Sequence, residues 1–264
     1  MSKYKERASS DPDKIKEEKL DVIIRTIPNR FLMFELMLSW VFFHELSHLI
    51  QCHYKLREPP SKNIEYYEML SDTPELDLSG QSREILADIE GLSLTLQYME
   101  REGFLGPNPI YLLLCSMTCM FNRFCGNKYI DTFHEVKGVH PHPVIRENFI
   151  HEYFCSLMAQ TTPLVWEKNI RESILLGYGY LTIRSAIAVG LYWANRYQNF
   201  DGSGYPSYMS LQMAASSNDV ETYKSELCHI AQSQLKTIAT EHLYNKTITK
   251  NIFNQGFFKK EKHK

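Results

Sequence analysis

The sequence predicts a mainly α fold with one minor β element. Two observations carry that expectation: apolar residues recur at helical spacing through most of the chain, and a single short run is rich in β-branched residues. Residues 1–20 are polar and densely charged and read as a flexible tail. Asp21-Val-Ile-Ile-Arg-Thr-Ile27 is the one convincing strand, ended by Pro28-Asn29. A long helix follows from about Arg30 to His53. The stretch from Arg57 to Gly80 is polar, and its Pro59-Pro60 and Asp72-Thr-Pro74 punctuation predicts a surface loop. The next helix, about Gln81 to Arg101, carries Ile85, Leu86, Ile89, Leu92 and Leu96 on one stripe and closes at Gly103 and Gly106-Pro107. Helices are further expected at about Ile110–Phe124, His142–Met158, Pro163–Asn195 with an interruption near Gly177 to Gly179, and Val220–Tyr244. The division expected is a core over 21–160 and a helical C-terminal extension over 161–264 packed on it.

Composition narrows the function classes. The formal charge is -2 over 264 residues and no basic stripe crosses the middle of the chain, so nucleic acid is not an expected partner. The basic end, Phe258-Lys-Lys-Glu-Lys-His-Lys264, reads as a solvated terminus. The start lacks the apolar core of a secretory signal, which predicts a cytoplasmic protein. Phe31 to Phe43 is too short to span a bilayer and carries Glu35, and Ile174 to Trp193 carries Arg184 at mid-span. Both are expected to be buried helices of a soluble protein, without stable membrane insertion. The six cysteines are then expected as free thiols, and Cys115 and Cys119 lack the CxxC spacing of a structural zinc site.

His44-Glu45-Leu46-Ser47-His48 is the segment that carries chemistry. Residues four apart share a helix face, so His44 and His48 can present both imidazoles to one Zn²⁺, with Glu45 beside the metal as general base and then acid. Zinc in catalytic sites usually takes three protein ligands. A third His six residues after His48, as in the His-x-x-Gly-x-x-His pattern, is ruled out because Gln51 and Tyr54 stand at the required positions. His53 is one place off and would rotate away on a continuing helix.

Glu84-Ile-Leu-Ala87-Asp88 supplies the better third ligand. Glu84 and Asp88 share one face of the second helix, and Ala87 is small enough for close packing on the first. Glu84 is expected on the metal and Asp88 on the outer nitrogen of a ligating His, with the swapped assignment also open. The string Val139-His-Pro-His142-Pro-Val-Ile-Arg146 sits at a helix start, where His142 or Arg146 is a candidate for stabilising an oxyanion or binding substrate.

In this order the three segments resemble the gluzincin metallopeptidases, whose pattern is HExxH, then ExxAD, then HP followed by Arg. The group includes the prenyl-protein and heat-shock membrane peptidases. The chain is more closely similar to the Lit-type phage-exclusion peptidases over about Trp40 to Ile150. That resemblance implies a zincin-like helical core, with the HExxH helix packed on the ExxAD helix. It also implies a soluble zinc endopeptidase in antiviral defence that is quiet until a phage component appears and then cuts a host translation protein. The partners implied are a protein or peptide substrate and an activating protein. A different class remains beside it: a catalytically silent zinc-binding protein with a regulatory or interaction role, in which Glu45 has no task. A purely helical structural protein with an accidental HExxH leaves the ExxAD spacing unexplained.

Overall fold

The computed structural model describes residues 29–56, 76–124, 138–162, 167–197 and 218–244. Six helices make up nearly all of them: α1 Asn29–Ile50, α2 Leu78–Arg101, α3 Pro107–Phe124, α4 Pro143–Thr161, α5 Lys168–Tyr197 and α6 Asn218–Glu241. The mainly α expectation holds, and there is no strand among the described residues. The expected strand 21–27, the prolines of the long loop and both termini lie outside the described residues.

Local signals set the helix ends. Asp77 caps α2 by accepting from the Gly80 backbone N–H at 2.7 Å. At the far end Gly103 takes φ +76, and the Phe104 N–H reaches the Met99 carbonyl at 3.1 Å, the pattern of a left-handed helix stop. Proline opens α3 and α4, where a missing N–H costs nothing.

Helix α2 is the axis of the fold. Its residues Gly80 to Leu96 are all buried, including the expected stripe Ile85, Leu86, Ile89, Leu92 and Leu96. Each such aliphatic side chain contributes about 1.5–3 kcal/mol on burial. Helix α1 packs along α2 and α3, α4 lies against α2, α3 and α5, and α6 covers the other side of α2. The α1–α2 crossing is unusually close. A Cβ on Gly91 would stand 3.0 Å from the backbone N and Cα of His44, so a glycine at that point lets the two helices meet at the first His of the HExxH box.

The C-terminal helix is tied into this core by polar contacts. Glu90 of α2 accepts from the Gln51 side chain and stands 2.9 Å from His242 Nε2, and the Leu243 N–H donates to the Ile50 carbonyl at 2.8 Å. The end of α1 is thereby pinned by residues just past α6.

Three expectations are corrected. Helix α1 stops at Ile50, not at His53, because Cys52 adopts a left-handed conformation, φ 54 and ψ 39, and a single tight turn follows over His53–Lys55. Helix α5 runs unbroken through Gly177 and Gly179, since the roughly 1 kcal/mol that each glycine costs is outweighed by packing against α3 and α4. Nor is α5 a buried helix: Leu176 and Ile183 are 74% and 58% exposed. The α1 stretch is half buried, with Leu36 and Trp40 inside and Phe31, Phe34, Leu38 and Phe42 outside.

Candidate metal centre

His44 and His48 lie one turn apart on the α2-facing side of α1, and Glu84 faces them from the second turn of α2. The two Nε2 atoms are 3.2 Å apart. His48 Nε2 is 3.2 Å from Glu84 Oε1, and His44 Nε2 is 3.5 Å from Glu84 Oε2. Ligands about 2.0–2.1 Å from a tetrahedral ion are separated by roughly 3.3 Å, close to the Nε2–Nε2 spacing and to the approach of one Glu84 oxygen to each imidazole. Among the described residues this is the one group of three donors close enough to hold a metal ion.

The outer atoms of both imidazoles have partners. His44 Nδ1 is 2.9 Å from Asp88 Oδ1, an approach at ion-pair distance but bent away from a straight hydrogen bond. This is the place expected for Asp88. His48 Nδ1 is 2.8 Å from Nδ1 of His53. Burial, with the charges of His48 and Arg83, holds His53 well below the ordinary histidine range, so its ring is neutral. A neutral His53 can accept from His48 Nδ1–H, and the Asp88 carboxylate stands at ion-pair distance behind His44. With Asp88 behind His44 and His53 behind His48, both Nε2 atoms turn toward Glu84, and once deprotonated they offer two nitrogen lone pairs beside a carboxylate. The donor set therefore suits a metal ion.

Arg146 organises the carboxylates. Its guanidinium is fully buried, donates to both oxygens of Asp88 at 2.8 and 2.7 Å, and passes 3.5 Å from Glu84 Oε2. The Phe121 ring lies beneath it, 4.5 Å away, and Trp40 bridges from Phe121 to the His44 ring. Arg146 is thus committed to the carboxylates and holds Asp88 in place. His142 caps α4, its Nδ1 accepting from the Val144 N–H at 3.2 Å.

The histidine of the HPHP string that meets the site is His140. Its Nδ1 lies 3.0 Å from Glu84 Oε2, and its half-exposed ring stacks on Phe124. Helical periodicity could not reveal this, because His140 is delivered by a non-helical bend that follows the bridge between Gly138 and Leu76, just before α2. Gly80 lets that segment approach, since a Cβ there would strike Val139 at 2.8 Å. His53 was hidden by the reversal at Cys52, and the only available signal was its nearness to the box.

Glu45 is exposed and lies in an outward stripe with Phe42 and Leu49. It stands beside the donor pair in sequence but on the solvent side of α1. Among the described residues no thiol joins the donor group, and burial pushes Cys115 and Cys119 up to about 11.

The electrostatics predict how metal uptake depends on pH. Burial alone would lower the pKa of His44, but hydrogen bonds and charge from Asp88 and Glu84 outweigh it and push the group up to about 9. Glu84 is held well below its ordinary range despite burial, by hydrogen bonds from His140, His44 and His48. Without metal, His44 carries a proton at neutral pH, and a divalent ion must displace it. Affinity is expected to rise about tenfold per pH unit up to about 9, with release of about one proton at pH 7, measured by calorimetry in buffers of different ionisation enthalpy. The raised His44 contributes stability to the metal-free protein that is complete below about 6.5 and lost as pH rises through about 9. Depressed Glu84 and Asp88 contribute stability present above about 4.5 and 3.8, lost as pH falls through their lower folded values.

The fold and centre place the chain among helical proteins with a potential His, His, Glu metal site on two crossed helices. Comparison with protein-family models, curated proteins and solved structures finds no match.

Proposed function

We propose that the protein is a zinc-dependent endopeptidase. The observation that carries this reading is the convergence of His44 Nε2, His48 Nε2 and the Glu84 carboxylate within reach of one metal ion, with a group behind each imidazole. Two nitrogens and one carboxylate are the donor set that suits Zn²⁺ with a position left open. A bound zinc ion would lower the pKa of a water molecule and polarise a peptide carbonyl. The chain supplies the rest. Glu45, one residue from His44 and exposed, would turn its side chain from the outer face of α1 toward the open position, take a proton from the attacking water and return it to the leaving amine. His140, half exposed beside Glu84, is placed to donate to the developing oxyanion, the task that sequence reasoning gave to His142 or Arg146. Phe42 and Leu49 flank Glu45 and favour a substrate with apolar side chains near the cleaved bond. A role in defence against phage follows from the resemblance of the motifs alone.

The deciding experiment is zinc content per chain by elemental analysis of protein purified without chelator, with Glu84→Ala alongside. One zinc in the parent and none in the variant after dialysis is the expected result. A zinc-free parent that also fails to take up added zinc would end the proposal.

A further inference from the structure

Helix α5 is inverted relative to a helix of a water-soluble bundle. The face packed on the protein carries Thr182, Ser185, Val189 and Ala194, all at most 5% exposed. The face turned outward carries Leu176, Tyr180, Ile183, Ile187, Leu191 and Tyr192, each 40–74% exposed. Small and hydroxyl-bearing residues are the most deeply buried on α5, with Tyr178 and Leu181 partly packed on the core, while most of its large apolar residues face outward. A continuous apolar strip this long exceeds the isolated apolar residues that any soluble surface shows and marks a binding face.

The charges on the helix say what covers it. Lys168, Arg184 and Arg196 are exposed, at the start, middle and end; Glu172, also exposed, pairs with Lys168 at 3.7 Å, which leaves Arg184 and Arg196 as the cations in the apolar stretch and at its end. Arg184 lies within two residues of the midpoint of Lys168–Tyr197, with its guanidinium 5.6 Å above the Tyr180 ring. A second copy docked about a twofold axis at the middle of α5 would bring two Arg184 side chains together away from water at the centre of the contact. An anionic lipid surface suits the same pattern. Acyl chains receive the leucines and isoleucines, tyrosines sit at the headgroup level, and a long arginine side chain reaches up to phosphate. Glu152, 52% exposed on the neighbouring α4 and paired with Lys224, fits a helix lying in the plane of the membrane with the bundle on its water side better than one crossing it.

We propose that the outer face of α5 binds the surface of a membrane containing anionic phospholipid, with α5 lying in the interface. The inference is independent of the metal centre. Its test is flotation of the full chain with vesicles of phosphatidylcholine, with and without phosphatidylglycerol. Alongside run Leu176→Glu/Ile183→Glu and Arg184→Glu, whose unchanged helical circular dichroism shows that they fold. Expected are flotation of the parent with the anionic vesicles, at least tenfold weaker binding by the double variant, and a loss for Arg184→Glu confined to anionic vesicles. A parent that stays with the soluble fraction, or a double variant that floats equally well, overturns the proposal. A lipid-free dimer in light scattering that the double variant dissociates overturns it too, and assigns the face to a second copy.

Discussion

Glu45→Gln is expected to keep one zinc per chain and to lower peptide hydrolysis by about 10²–10⁴-fold, the usual contribution of a positioned general base. Glu45 is exposed and its side chain supports no core packing, so the substitution removes the proton acceptor without disturbing the donors. Metal content, circular dichroism and turnover of a peptide library, measured together, separate the two readings of the site. Retained cleavage would sink the mechanism proposed for Glu45. If parent and variant both bind zinc and neither cuts, the silent regulatory reading takes its place.

Arg146→Met is expected to destabilise the fold by about 3–5 kcal/mol, because it leaves buried Asp88 without its bidentate cation. For a chain of this size that corresponds to roughly 10 °C in Tm. The loss belongs to an uncompensated charge and not to lost volume, so Asp88→Leu/Arg146→Met should recover part of the stability while weakening metal binding through His44. Denaturant unfolding of the two variants in the presence of chelator measures this directly. Equal destabilisation of single and double variants would show instead that the guanidinium acts through its packing on Phe121.

What could be read from the sequence followed from local geometry. His44 with His48, and Glu84 with Asp88, are each one helical turn apart, and that spacing alone places them on shared faces that the fold then opposes. The stripe on α2 was legible for the same reason. His53 and His140 were not, because each is positioned by non-helical backbone: the left-handed Cys52 in one case and the pairing of Gly138 with Leu76 in the other. Hydropathy also misplaced α5, since an apolar run of that length has the same composition whether its large side chains face a protein core or face outward. Only the packed arrangement, with Thr182 and Ser185 turned inward, separates the two.

The clamp at the end of α1 has a consequence for the birth of the protein. The donors at 44, 48 and 84 emerge from the ribosome early, whereas His242 and Leu243, which fasten Glu90 and the Ile50 carbonyl, emerge some 160 residues after the last donor. A growing chain therefore owns every ligand before it owns the brace that sets them. Under the proposed function, metal capture would be a late event of maturation, and a nascent polypeptide would be spared a working hydrolytic centre while it is still being made.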